Sequence, residues 1–435
     1  MNDIFTARGS VLIAGVTVNG STVDIAIDEE GMIAGIGKDA RKTIDADIII
    51  DGSDRVAIPG LVNTHTHAAM TLLRGYADDM PLAEWLSEKI WPLEAHLSGD
   101  DVYWGTKLAC LEMIKSGTVA FNDMYFFMER AADAVDEMGL RATLAYGFID
   151  LGMEEKREAE IKATEALVAH VKARKNPRIQ AAVGPHSVYT VSPEGLSWCA
   201  NFAEEQEIGI HIHLSETEKE VTDCVAEFGK RPAVHLDECG CLTPRTVAAH
   251  CCWLDEAECR LLGERGVTAS HNPASNMKLA VNRAMPYHWL KASGANVCLG
   301  TDGCSSNNNL DMLEEMKFAA LLQKFAWNSP TVLPAGEAIA MATAAGARAL
   351  GTGPGTLTVG APADIVLVDA RAVCNTPLFN PESNLVYACN GGAVRTVLCQ
   401  GRVLMHERTV PGEEKIVREA AAAARALVGR AKEAS

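Results

Sequence analysis

No apolar run in these 435 residues approaches the roughly 20 needed to cross a bilayer, which argues against a helical membrane protein. The amino terminus, MNDIFTARGSVLIAG, lacks the basic-then-apolar order of a secretory signal, so a cytoplasmic location is expected. Positive charge is scarce: 39 Lys and Arg stand against 57 Asp and Glu, a net charge of −18. A surface that tracks nucleic-acid phosphates needs the opposite balance. The same excess would repel polyanionic substrates, so a neutral or zwitterionic small molecule fits better. There is no CxxC pair; the 13 cysteines are odd in number and irregularly spaced, and neither Cys239/Cys241 nor Cys251/Cys252 has zinc-ribbon spacing. Free thiols in a reducing compartment are the expectation. The stretch GTGPGTLTVGAPADIV (351–366) has no GKS or GKT after its glycines, so it reads as turns at a domain crossing and not as a phosphate loop.

What is present is a globular balance, 48% hydrophobic to 22% charged, in a chain too long for one ordinary core. From 8 to 58, short β-prone runs (SVLIAGVTV, TVDIAIDE, GMIAGIG, ADIIID) alternate with Gly and Asp turns, the spacing of a small antiparallel sheet. The texture returns in ADIVLVDA (363–370) and AVRTVLCQGRVL (393–404). Between these ends, strands alternate with helical stretches such as DDVYWGTKLACLEMIKSG, which implies a parallel sheet. Eight strand candidates follow one another: 60–65, 118–123, 141–147, 179–186, 209–214, 246–252, 267–272 and 295–302. Eight such units favour closure. The expected fold is α/β: a (β/α)8 TIM-like barrel over 59–354, a composite β-sandwich from 1–58 and 355–412, and an Ala-, Glu-, Lys- and Arg-rich surface helix over 413–435.

Polar residues cluster at the carboxyl ends of those strands, where a parallel barrel builds its active site. His65 and His67 in IPGLVNTHTH are two apart on a strand and share a face, so both imidazoles can reach one divalent ion. In HIHLSE, His211 and His213 alternate in the same way; His213 lies nearer the strand's end and is the expected third ligand, with His211 structural or supporting. Glu216 falls just beyond, within reach of a substrate held over the ion, although Ser215 and Glu218 also fit a helix-capping pattern. His250 ends the sixth strand and Asp302 the eighth. Either alone would be an ordinary hydrogen-bonded residue; together with the other three they suggest a metal-dependent hydrolase.

The stretches PGLVNTHTHAAMTLLRG, EWLSEKIWPLE, GPHSVYT, HIHLSE, AAHC, SHNPASNMKL and GTDG resemble the amidohydrolase superfamily, nearly end to end. Within it the chain is similar to the deaminases of methylthioadenosine, S-adenosylhomocysteine and 5'-deoxyadenosine. The resemblance implies one divalent metal, zinc before iron or manganese, on His65, His67, His213 and Asp302. It implies Glu216 and His250 as the proton-transfer pair, with Asp302 helping to orient the attacking water. Trp85, Glu94 and His186 resemble nucleoside-contacting residues, Glu94 accepting the ribose hydroxyls as an ionised carboxylate can. Relatives that take S-adenosylhomocysteine can carry an arginine near the end of the third strand; here Tyr146 stands closest, and Arg157 lies in the following segment. Losing that bidentate partner favours smaller 5'-substituents. The alternatives are another amino-heterocycle (guanine, cytosine or triazine) or a cyclic amide opened by two metals. The latter usually needs a bridging lysine at the end of the fourth strand, which here reads Gly184-Pro185-His186. A small-molecule nucleoside partner and a homo-oligomer are expected, with neither nucleic acid nor membrane.

Overall fold

The structure is a computed structural model and describes residues 4, 5 and 9–434. Ile- and Val-rich runs near the amino end form β1 (Val11–Val18), β2 (Ser21–Ile27), β3 (Ile33–Gly37), β4 (Ile48–Asp51) and β5 (Arg55–Pro59). The barrel strands follow: β6 (Leu61–Thr66), β7 (Thr118–Tyr125), β8 (Arg141–Phe148), β9 (Ile179–Pro185), β10 (Gly209–Leu214), β11 (Thr246–His250), β12 (Thr268–His271) and β13 (Asn296–Leu299). The chain then returns with β14 (Ile365–Asp369), β15 (Val394–Cys399) and β16 (Arg402–Met405).

Segments more than 300 residues apart meet in one sheet, because β14 pairs antiparallel with β5, Ile365 opposite Pro59 and Asp369 opposite Arg55. The order is β16-β15-β14-β5-β1-β2-β3, with β4 beside β1. The pairing is mixed, since β4 and β5 both run parallel to β1, where a purely antiparallel sheet was expected. The β5 strand is the element the sequence reading left out, its five residues being hidden against the Pro-Gly turn that follows. One face packs Ile13, Ile25, Ile33, Ile50, Ile365 and Leu398 into a core of its own.

The strands β6 to β13 pair in parallel, each with its neighbour in sequence. The last step, from β13 back to β6, is closed by side chains and irregular backbone. Asn63 Nδ2 donates to Thr301 Oγ1 (2.7 Å), Thr301 N donates to Asn63 Oδ1 (3.0 Å), and Asp302 N donates to His65 O (3.0 Å). Only glycine fits at Gly300 in this seam, where a Cβ would stand 2.8 Å from the His65 Cβ and backbone nitrogen. That closeness brings Asp302 to His65 although the two are far apart in sequence.

Helices cover the barrel. Gly99–Ser116 starts on a capping box between Ser98 and Asp101 and ends at Gly117 in the left-handed conformation. The helix Glu413–Ala434 lies along it, burying Ile416, Ala420 and Leu427 and tied by Lys115–Glu413 at 2.6 Å. Among the described residues no helix is long and apolar enough to cross a membrane. All 13 cysteines are free thiols, buried except for Cys239 and Cys374, which are partly so.

Candidate active site

His65, His67, His213, Glu216, His250 and Asp302 meet at the carboxyl rim. Three imidazoles converge there, and their second nitrogens explain how. His67 Nδ1 lies 2.6 Å from Met124 O, His213 Nδ1 lies 2.7 Å from His186 O, and His65 Nδ1 lies 2.7 Å from His211 Nε2. Each contact fixes its ring and turns Nε2 inward. His67 and His213 then oppose each other Nε2 to Nε2 at 3.3 Å, while Asp302 Oδ1 stands 3.4 Å from His65 Nε2 and 3.3 Å from His67 Nε2. Two ligands of one zinc, each about 2.0–2.1 Å from it, stand about 3.3 Å apart in a tetrahedron. His65 Nε2 is buried without a hydrogen bond to the protein. The donor set therefore fits a divalent cation, with three neutral nitrogens and one carboxylate oxygen.

Asp302 is held for this use. Its Oδ2 accepts from Ser275 Oγ (2.6 Å) and Ser306 Oγ (3.1 Å), and its Oδ1 accepts from Gly303 N (2.8 Å). Burial alone would raise its pKa, but the imidazoles of His65 and His67 hold it well below the carboxylate range. Conversely, burial would lower His67, yet the Asp302 carboxylate keeps it up at about 9. The centre thus favours positive charge, and a divalent ion would displace that proton.

Three of the strand ends turn through left-handed backbone: Ser215 (φ 49°), His250 (φ 70°) and Asp302 (φ 61°). Such residues cost on the order of 1–3 kcal/mol each and persist where their surroundings hold them. The surroundings here are Trp253 N on Ser215 O (2.8 Å), Cys251 N on Leu214 O (2.9 Å) and Asp302 N on His65 O.

Glu216 follows Ser215 and is buried. Burial first, then the Asp302 and Glu220 charges, raise its pKa well above the usual value, which favours its protonated form. The capping role expected of Ser215 and Glu218 belongs to other residues. Thr217 caps the helix Glu218–Phe228 by accepting from Glu220 N, while the Glu220 carboxylate accepts from Ser215 N (2.7 Å) and Glu216 N (2.8 Å). Two positions of slippage separate pattern and fact, because the left-handed turn at Ser215 delays the helix. His250 Nδ1 lies 3.7 Å from Glu216 Oε1. Asn276 Nδ2 donates to that Nδ1 at 2.9 Å, its own Oδ1 accepting from Cys252 Sγ at 3.3 Å, which orients the amide. The Asn272 amide stands 3.3 Å from the same Nδ1, and burial keeps the ring neutral, its pKa down to about 3.

His67, His186, His213, Glu216, His250 and Asp302 enclose a chamber of about 50 Å³, roofed by Leu82, Trp85 and Leu86. That holds one or two waters. Leu82, Leu86, Tyr189, Glu216 and Leu279 also wall an outer cavity of about 780 Å³, the size of a ligand pocket. The roof lies in the helical segment 82–94, whose middle turn is a π-helix (Leu86–Ile90). Trp85 is on the chamber wall, but its Nε1 already donates to Ala77 O (3.0 Å), so only its ring is available. His186 is on the wall as well, with Nδ1 held by Thr190 Oγ1 at 2.9 Å. Glu94 is not. It sits behind the roof, half-buried, accepting from Tyr125 OH (2.6 Å), and burial pushes its pKa up to about 7 against the lowering effects of Tyr125 and His67. Neither Tyr146 nor Arg157 reaches the chamber; Arg157 lies 3.2 Å from Ser192 Oγ and within 4 Å of the Asp150 and Glu194 carboxylates. Among the described residues no lysine lines the chamber. The supports Ser275, Asn276 and Ser306 had no assigned role, although SHNPASNMKL marked two of them by its run of small polar residues.

A barrel with ligands of this kind on its carboxyl rim belongs to a known class of metal-dependent hydrolase. Residues 56–404 match the amidohydrolase family, and the chain belongs to it. It is similar to a 5'-deoxyadenosine deaminase of Methanoregula boonei, 67% identical over 431 residues, covering 99% of this chain and 98% of that one. A 5-methylthioadenosine/S-adenosylhomocysteine deaminase of Archaeoglobus fulgidus is 50% identical over 393 residues, covering 90% and 92%. Among solved structures, an adenosine deaminase from Xanthomonas campestris with bound zinc superposes with a TM-score of 0.90 at 35% identity, covering 97% and 98%.

Proposed function

We propose that the chain hydrolytically removes the 6-amino group of a 5'-modified adenosine, releasing ammonia and an inosine derivative. The observation that carries the chemistry is the cluster of His65, His67, His213 and Asp302 donors with the buried Glu216 carboxyl on the wall of the same chamber. The adenosine-type substrate rests on the relatives, each of which deaminates such a nucleoside by name. Zinc is the expected ion, as in the similar adenosine deaminase.

When bound, a divalent cation supplies the Lewis acidity that makes water nucleophilic near neutral pH. The protein does the rest. His250, held by Asn276, orients the attacking water; Asp302 takes the water's proton. Glu216 donates to N1 as water adds at C6, so negative charge does not build up on the ring. Asp302 then returns its proton to the amino group, which leaves as ammonia, and Glu216 is reprotonated by the C6 hydroxyl as the carbonyl forms, N1 keeping its proton in the inosine product.

The outer cavity favours small neutral 5'-substituents. Glu216, Glu218, Glu220 and Asp223 line it with Lys219, whose ammonium is paired to Asp223 at 2.5 Å. Among the described residues no arginine lines it, and Arg157 is already neutralised by carboxylates. A homocysteine carboxylate would meet net negative charge. The test is ammonia release, with the adenine-to-hypoxanthine absorbance change, from 5'-deoxyadenosine, methylthioadenosine, S-adenosylhomocysteine, adenosine, guanine and cytosine. The 5'-deoxy and methylthio nucleosides should turn over fastest; turnover of guanine or cytosine alone would remove the nucleoside reading.

A further inference from the structure

The nitrogens behind the three imidazoles are served unequally. His67 and His213 meet backbone carbonyls, which no substitution removes. His65 lies deeper, fully buried inside the barrel, where strand carbonyls are engaged with neighbouring strands. Its Nδ1 meets a side chain instead, His211 Nε2 at 2.7 Å, the rings set edge to face at 88° with centroids 4.9 Å apart.

We propose that His211 is a positioning residue of the metal centre, acting only through His65. A neutral imidazole that offers Nε2 to a cation carries its proton on Nδ1. His65 Nδ1–H therefore donates and His211 Nε2 accepts, which requires the His211 proton to sit on its own Nδ1. His211 is buried with the Asp123 backbone as a second hydrogen-bonding neighbour, and Asn122 Oδ1 is buried without a partner. His211 and Asn122 both line a cavity of about 610 Å³ at the opposite, amino end of the barrel, ringed by Lys175, Arg245 and Arg348. The chain of contacts runs from that basal cavity through His211 and His65 to the donor cluster. Such outer partners orient the ligand and raise its basicity, and their loss commonly costs 10–100-fold in metal affinity.

The inference rests on the metal reading above, and the two can fail separately. Zinc affinity is measured by chelator competition, and cobalt(II) visible spectra are recorded, for wild type, His211→Phe and His211→Gln. Phenylalanine keeps the ring volume and removes the acceptor; glutamine places an amide oxygen where Nε2 stood. The expected result is a zinc affinity about 10–100-fold weaker and shifted cobalt bands for His211→Phe, with both largely restored in His211→Gln. Wild-type affinity and bands in His211→Phe would overturn the proposal, as would a His211→Gln no better than His211→Phe. Histidine-selective ¹⁵N NMR of the zinc-loaded wild type needs no variant and decides the matter if His211→Phe does not fold. The His65 proton is expected on Nδ1, bonded to His211, and any other tautomer overturns the assignment. A wild-type chain that binds no metal would instead sink the reading on which this one stands.

Discussion

His65 on β6 and His67 just past its end face His211 and His213 on β10 across the barrel lumen, the same His-x-His spacing on both sides, yet the two facing pairs meet differently. The outer pair opposes two Nε2 atoms at 3.3 Å, a separation that serves a shared ion. The inner pair sets Nδ1 of one ring against Nε2 of the other at 2.7 Å, which is a hydrogen bond. Alternation puts both histidines of each strand on one face, but it does not say how deep each lies. Strand β6 commits both imidazoles to the donor cluster. Strand β10 commits one, uses the other as a prop, and then contributes Glu216 from the turn beyond.

Breaking that asymmetry gives the largest expected effect. His213→Ala removes a donor and should drop the bound metal from one per chain toward zero, with activity falling alongside, as read by elemental analysis and ammonia release. His211→Phe should leave metal on the protein at saturating zinc. Equal metal loss in the two variants would mean that the inner and outer pairs are equivalent, contrary to their geometry.

Next comes the part of the β10 side that has nothing to do with holding the ion. Glu216→Gln keeps the shape of the side chain but has no acidic proton to give N1. Metal content should match wild type while kcat falls by about 10²–10⁴. Full activity in this variant would sink the role of Glu216. The turn carrying Glu216 is itself held by Glu220, whose carboxylate takes two buried N–H groups. Glu220→Ala leaves both unpaired, at about 1–3 kcal/mol each, so the urea midpoint should fall visibly. An unchanged midpoint would show that the turn is held from elsewhere.

The barrel was legible because its eight strands are short apolar runs, several of them ending in a polar rim residue, and helical stretches separate them. The rim histidines were legible for the same reason: position at a strand end is a sequence property. Depth is not, which is why His211 could be placed on a face but not in a contact. The helix start after HIHLSE was misjudged because a left-handed residue at Ser215 shifts the cap to Thr217, and no local pattern announces that turn. Resemblance placed Glu94 with the substrate, whereas it lies behind Trp85 and the roof, a consequence of how segment 82–94 packs over the rim.

Glu94 provides the smallest effect and a control on the β6 side of the lumen. Its carboxyl is raised to about 7, burial outweighing the Tyr125 hydrogen bond and the His67 charge. Only the ionised form accepts two ribose hydroxyls, so binding should strengthen as pH rises through the midpoint and weaken below it. Each pH unit below the midpoint lowers the ionised fraction about tenfold, so KM should rise by up to about that factor per unit on acidification. A bound cation adds positive charge near His67, which favours the carboxylate and moves the midpoint below 7 in the loaded enzyme. Glu94→Gln should flatten this limb of the KM profile while leaving metal content untouched. A profile that keeps its acid limb in the variant would assign the titration to another group and leave Glu94 as a partner of Tyr125 alone. Because the roof separates Glu94 from the chamber, the same flattening in KM would also mean that segment 82–94 shifts when the nucleoside enters.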